Sequence, residues 1–127
     1  MSANKREIKT AEILCVGTEL LLGDIINTNA AYISKELASL GIAVYRQSVI
    51  GDNPERLKAE MRGALSRADL VITTGGLGPT CDDLTKETVA ELFETELVMD
   101  EYCLGEIRKF FEKSNRVMTK NNEKQAL

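Results

Sequence analysis

The sequence predicts an α/β fold: a parallel sheet with helices on both faces. Three observations carry that prediction. Short, largely apolar segments recur at residues 12–17, 42–50 and 69–74. Apolar runs of this length mark strands buried on both faces. Between and after them, apolar residues return at helical spacing, which alternates strand with helix. Each strand exit carries glycine and a carboxylate, the mark of a tight strand-to-helix loop. At 127 residues, 43% of them hydrophobic, the chain is long enough for one domain with a real core.

Residues 1–10 read as a polar tail, and the domain as residues 11–127. The first strand is Glu12-Ile13-Leu14-Cys15-Val16-Gly17, followed by a loop to about Ile26. From Thr28 to Leu40, Ala31, Ile33, Leu37, Ala38 and Leu40 fall at helical spacing, and Gly41 is a stop signal. Residues 42–50 form the second strand. Asn53-Pro54 opens a helix, with Asn as cap and Pro at the first helical position. Leu57, Met61, Ala64 and Leu65 line its apolar face, and Gly63 weakens it. Residues 69–74 form the third strand. Thr85 is placed as the cap of a third helix running to about Thr95, with Val89, Leu92 and Phe93 inward. Leu97-Val98-Met99 connects to a fourth helix capped by Asp100 and containing Leu104, Ile107, Phe110 and Phe111, of which the Phe110-Phe111 pair is placed in the core. The order is β-α-β-α-β-α and then a further helix, with right-handed crossovers.

Composition excludes several chemistries. A net charge of −4 leaves no basic field for a nucleic-acid backbone, so no nucleic-acid partner is expected. There is no histidine, hence no Ser-His-Asp triad and no His-ligated zinc. Cys15, Cys81 and Cys103 are odd in number and form no CxxC pair, which disfavours a disulfide scaffold. No apolar run approaches membrane-spanning length and the N-terminus lacks an apolar leader core. A cytoplasmic protein without a membrane partner is the expectation.

The most telling stretch is Val71-Ile-Thr-Thr-Gly-Gly-Leu-Gly-Pro-Thr-Cys-Asp-Asp-Leu-Thr85. Glycines let backbone N–H groups approach a ligand, and a helix start adds partial positive charge suited to phosphate. Asp82 and Asp83 bring the opposite charge, which beside phosphate calls for a divalent metal or a protonated partner. Gly17, Thr18, Glu19, Gly23 and Asp24 follow the first strand, and Gly51-Asp52 the second. In open α/β sheets ligands sit beyond the carboxyl ends of strands, so Glu19, Asp24, Asp52, Asp82 and Asp83 are placed along one sheet edge.

Each feature also has a plainer structural reading. The glycine loop serves equally as a strand-to-helix turn, and Thr80, Asp82 or Thr85 as helix caps. Asp52 serves as a turn residue, and Asp24 as an acceptor for loop N–H groups. Asn27 and Asn29 fit a role in holding the first loop and helix start. Cys81 has no histidine or neighbouring cation to make it a nucleophile. The loop lacks the Lys-Ser/Thr ending of a P-loop and the third glycine of a dinucleotide fingerprint.

Residues Gly17 to Asp24, Asn27-Thr28-Asn29, and Thr74 to Thr80 with Asp82-Asp83-Leu84-Thr85 closely resemble the N-terminal domain of the CinA (competence/damage-inducible protein A) family. That domain is similar to the molybdopterin-binding, MoaB/MogA-like domains of molybdenum-cofactor biosynthesis. The resemblance covers roughly residues 10–127. It implies a three-layer α/β/α sandwich with a mostly parallel sheet, and a homo-oligomer. For the CinA branch it implies metal-dependent hydrolysis of a nucleotide diphosphate such as ADP-ribose; for the wider superfamily, binding of a pterin; a non-catalytic regulatory or assembly domain of a CinA-like protein is the third expectation. By resemblance, Gly75, Gly76, Leu77, Gly78, Pro79, Thr80 and Thr85 contact ligand phosphate, joined by Thr18 and Asn29. Glu19, Asp24, Asp82 and Asp83 hold a divalent ion (Mg, Mn or Co). Asp82 and Asp83 are the catalytic candidates, Asp83 as general base. Family domains continue past the Asn121–Ala126 region into further strand and another glycine loop, so an incomplete domain is expected. Nothing corresponds to the C-terminal amidase domain of many CinA proteins.

Overall fold

A computed structural model describes residues 5–127, so the first four residues of the polar tail lie outside the described residues. The chain divides into two units, one ending at Thr74 and one running from Gly75 to Leu127.

The first unit is built on strands β1 (Thr10–Val16), β2 (Ala43–Ile50) and β3 (Leu70–Thr74). They form one parallel sheet in the order β2-β1-β3. The central strand is buried from Ala11 to Val16. Its side chains alternate between faces. Ala11, Ile13 and Cys15 pack with Ala30 and Leu37 of helix α2 (Thr28–Ser39). Glu12, Leu14 and Val16 therefore face the other side, where Arg67 of helix α3 (Pro54–Arg67) meets Glu12. Leu57, Met61 and Ala64 are the buried apolar residues of α3. The layers are thus helix, sheet, helix, as expected. Asn53 caps α3 by accepting from Arg56 N–H at 2.9 Å, with Pro54 at the first helical position.

The structure departs from expectation on β2. Its apolar run reads as buried on both faces, yet only Ile50 is buried. The strand is an edge strand with one neighbour. Ala11 pairs with Val44 and Glu12 with Arg46, so Tyr45 is an extra residue at a bulge and is 84% exposed. The stretch after β1, read as loop, contains a short helix α1 (Thr18–Leu22). Gly23 ends it at φ 78°, a left-handed turn that glycine adopts without steric cost.

Two polar contacts tie β1 to its surroundings. The Asp69 carboxylate accepts from the backbone N–H of Lys9 (3.0 Å) and of Thr10 (3.2 Å), while the Thr10 hydroxyl accepts from Asp69 N–H at 3.1 Å. These bonds stitch the starts of β1 and β3 together. Glu12, buried in β1, takes Arg67 Nε at 2.7 Å on one oxygen and Nη2 at 3.0 Å on the other. That bidentate bond holds the Glu12 carboxyl below its ordinary value of 4.5 against the opposing effect of burial. A depressed carboxyl pKa stabilises the fold fully above 4.5, and that stabilisation is lost as pH falls through the folded-state value. Arg67→Met leaves the carboxylate buried without its partner. It is expected to destabilise the protein at pH 7 and to narrow the stability difference from the parent protein on acidification towards pH 4. Urea unfolding across that range checks this; a gap that widens at low pH would overturn it.

The second unit holds α4 (Thr85–Leu92), α5 (Glu101–Lys113), α6 (Lys120–Glu123) and a final 3-10 turn (Lys124–Ala126). Asp100 caps α5 by accepting from Cys103 N–H at 2.8 Å, and its own N–H donates to Ala126 carbonyl at 2.8 Å. Three expectations change. Leu84, not Thr85, is the cap of α4, and Thr85 is its first helical residue. Phe93 lies past the last helical residue and is 58% exposed. Among the described residues of α5 only Leu104 is buried; Phe110, placed in the core from sequence, is 61% exposed. Phe110 instead meets half-buried Phe111 edge-on, ring centroids 5.6 Å apart.

Candidate phosphate site

The segment from Gly75 to Thr85 folds back on itself between β3 and α4. Gly75 (φ 86°) and Gly76 (φ 67°) turn the chain in a left-handed conformation that other residues rarely adopt. Thr85 closes the loop: its N–H donates to Gly76 carbonyl at 3.2 Å and its hydroxyl to Gly75 carbonyl at 2.8 Å. Thr85 is buried, and its side chain is engaged by this closure.

Asp83 closes the second half. Its Oδ2 accepts from Thr80 N–H at 3.0 Å and from the Thr80 hydroxyl at 2.7 Å. The Thr80 hydroxyl is the largest influence holding the Asp83 carboxyl below its ordinary value. The Thr80 and Gly78 N–H groups and the Lys124 charge act the same way, against partial burial. Asp83 is therefore ionised and a weak base; its visible work is to shape the loop. Gly78 is required by that arrangement, since a Cβ there would lie 2.6 Å from Asp83 Oδ2. Asp82, Leu77 and Cys81 are exposed, and Pro79 is half-buried.

Lys124 was not singled out by the sequence. Its ammonium donates to the Thr80 carbonyl at 2.9 Å and to the Asp83 carbonyl, and pairs with Glu87 at 3.4 Å. A trans peptide points its N–H opposite to its C=O. Fixing those two carbonyls thus turns the N–H groups of Cys81 and Leu84 away from the ammonium. Lys86 in turn donates to the Lys124 carbonyl at 2.6 Å. Lys124 lies 44 residues from Thr80 in sequence, and no local pattern signals the contact.

In the first unit, Thr18, Glu19, Asp24 and Asn29 are all exposed. The Thr18 hydroxyl accepts from Asp52 N–H at 3.1 Å, which joins the exits of β1 and β2. The Glu19 carboxylate folds over Gly17, where a Cβ would lie 2.5 Å from Oε1. The Asp24 N–H donates to the Glu19 carbonyl at 3.1 Å. The donor set does not fit a divalent ion as arranged. Among the described residues no three Cys, Asp or Glu side chains gather as metal ligands, and one Asp83 oxygen is already bonded twice.

A model of the family described as "Probable molybdopterin binding domain" matches residues 12–126. The chain belongs to this family. Within the molybdopterin-binding domain family it is CinA-like. It is 63% identical over 116 residues to a "Putative competence-damage inducible protein" of Clostridium botulinum. That match covers 91% of this chain and 28% of the relative, so the chain spans just over a quarter of that protein's length. Among solved structures it is similar to the protein CinA of Thermoplasma acidophilum. The TM-score is 0.82 at 38% identity, covering 94% of this chain and 69% of that one. It is also similar to the molybdopterin biosynthesis enzyme MoaB of Thermus thermophilus, with a TM-score of 0.65 at 27% identity, covering 81% and 64%. Among the described residues no helix is long and apolar enough to cross a membrane.

Proposed function

We propose that this domain binds a phosphate-bearing small molecule of molybdopterin type, with the Gly75–Thr85 loop as the phosphate cradle. The observation that carries this is the doubly closed glycine loop: two left-handed glycines locked by Thr85, and an Asx-type closure locked by Asp83. Backbone N–H groups in such a loop form a concave anion site. The Asp83 charge is offset by its Thr80 donors and by the Lys124 ammonium behind the loop. Likeness to MoaB favours a pterin as the ligand's organic part.

Calorimetric titration with molybdopterin, with chelator present, tests the reading. Asp83→Ala is expected to weaken binding about tenfold or more, since the Thr80–Asp83 closure is lost. No heat from the parent protein, or equal affinity in the variant, would sink it.

The finer reading is metal-dependent hydrolysis of a nucleotide diphosphate such as ADP-ribose. Its support is the adjacent Asp82 and Asp83 beside the loop; the carboxylates would have to rearrange to hold Mg, Mn or Co. AMP released from ADP-ribose with those ions is its test. Self-association belongs to the same proposal, supported by exposed Tyr45 on the edge strand β2 and by exposed Tyr32 and Leu40 in and at the end of α2. A cytoplasmic setting is supported by three free thiols, Cys15, Cys81 and Cys103.

A further inference from the structure

Lys124 spends its ammonium inside the second unit. An ammonium has three donors. Those of Lys124 meet the Thr80 carbonyl at 2.9 Å, the Asp83 carbonyl, and Glu87 Oε1 at 3.4 Å. None is left to bond a ligand. We propose that Lys124 is a positioning residue for anion binding: its charge acts on the ligand through the Thr80–Cys81 and Asp83–Leu84 peptide units, with Glu87 as the counter-ion that limits it. The inference rests on the phosphate reading of the Gly75–Thr85 loop and deepens it.

A cation on a peptide oxygen polarises that unit and strengthens its N–H as a donor. The two N–H groups so affected, of Cys81 and Leu84, point away from the ammonium. Among the described residues no hydrogen bond uses either one. The loop thus keeps two strengthened donors unspent, on a segment where exposed Asp82 and ionised Asp83 would otherwise repel an anion. Lys124 is held in place from α4. Lys86 donates to its carbonyl at 2.6 Å, and Glu87 pairs with its ammonium. The Glu87 pairing is poor as a structural device. Only Oε1 is engaged; Oε2 is buried and has no hydrogen-bond partner among the described residues. A buried acceptor left without a donor costs folding free energy. What Glu87 does supply is a negative charge beside the ammonium, which weakens the field that the two N–H groups pass on.

The test is calorimetric titration of the full chain and three variants with pyrophosphate, chelator present, beside urea unfolding of each. Lys124→Met is expected to weaken binding about tenfold or more. Lys124→Arg keeps the charge and a fork of donors, and should hold affinity within about threefold of the parent. Glu87→Gln probes the same charge without removing the lysine. It keeps an acceptor for the ammonium and loses the negative charge. Pyrophosphate should therefore bind about threefold more tightly, while the urea midpoint falls. A merely structural pair would move affinity and stability down together. Amide resonances give a second readout. Pyrophosphate should shift the Cys81 and Leu84 N–H signals in the parent and in Glu87→Gln, and leave them in place in Lys124→Met. Parent-like affinity in Lys124→Met, or binding by Glu87→Gln no tighter than the parent's, would overturn the positioning role while leaving the phosphate site standing. A parent protein that binds no pyrophosphate overturns both.

Discussion

Leu14→Ala is expected to cost about 3–4 kcal/mol of folding stability. Leu14 is fully buried at the centre of β1, with Ser48 of β2 and Thr73 of β3 as its register partners. Truncation there loses the transfer free energy of the side chain and leaves a cavity that a strand bonded on both sides collapses around poorly. A domain's net stability is only about 5–15 kcal/mol, so this one change removes a large share of it. Urea unfolding gives the value from the shift in midpoint. Leu22→Ala is the comparison: Leu22 is 71% exposed at the end of α1, and its loss should stay within about 0.5 kcal/mol. Equal shifts for the two leucines would mean that β1 is not the core strand.

Gly78→Ala is expected to disable the glycine loop while leaving the first unit folded. The added Cβ would lie 2.6 Å from Asp83 Oδ2, closer than real Cβ atoms approach a non-bonded neighbour, and 3.0 Å from its Cγ. The carboxylate must leave, and it takes with it both bonds to Thr80. Two readouts follow. Thr80 N–H should exchange with solvent faster, with β1 amides unchanged. Affinity for the phosphate ligand should fall about tenfold or more. Gly105→Ala is the control, because a Cβ there meets nothing within 4 Å and alanine favours helix α5 by about 0.5–1 kcal/mol. If Gly78→Ala keeps the Thr80 amide protected, Asp83 does not close the loop.

Much of the fold was legible because its signals are local. The β1 run Ile13-Leu14-Cys15-Val16 has no polar interruption, and its shortness and the glycine that ends it favour a buried strand over a helix. Asn53-Pro54 and Asp100 are caps whose side chains act within three residues, and both do so. β2 misled because apolar content does not say how many neighbours a strand has; Tyr45 is exposed at a bulge on an edge. Phe110 misled because aromatic side chains carry no mark of which helical face is inward. In the candidate site, Gly75, Gly76 and Gly78 were visible as a loop. The Asp83–Thr80 closure was not, since an acid beside a glycine loop reads as readily as ligand, cap or base.

The sequence by itself determined the order of the three strands and of helices α2 to α5, the lack of histidine chemistry, and the glycine–threonine–aspartate segment that identifies the family. These rest on composition and on spacings of a few residues, which the chain carries whether folded or not. Only the tertiary structure decided what the polar groups do. Thr85 closes a turn, Asp83 is held ionised by Thr80, and Lys124 reaches back 44 residues to hold two loop carbonyls. The physical reason is that a charged group's role is set by which partners reach it within about 3 Å. For Lys124 the two loop carbonyls lie more than 40 residues away, at a separation that no local pattern encodes; for Asp83 the partner Thr80 is only three residues away, but that spacing suits a ligand contact, a cap or a loop closure equally.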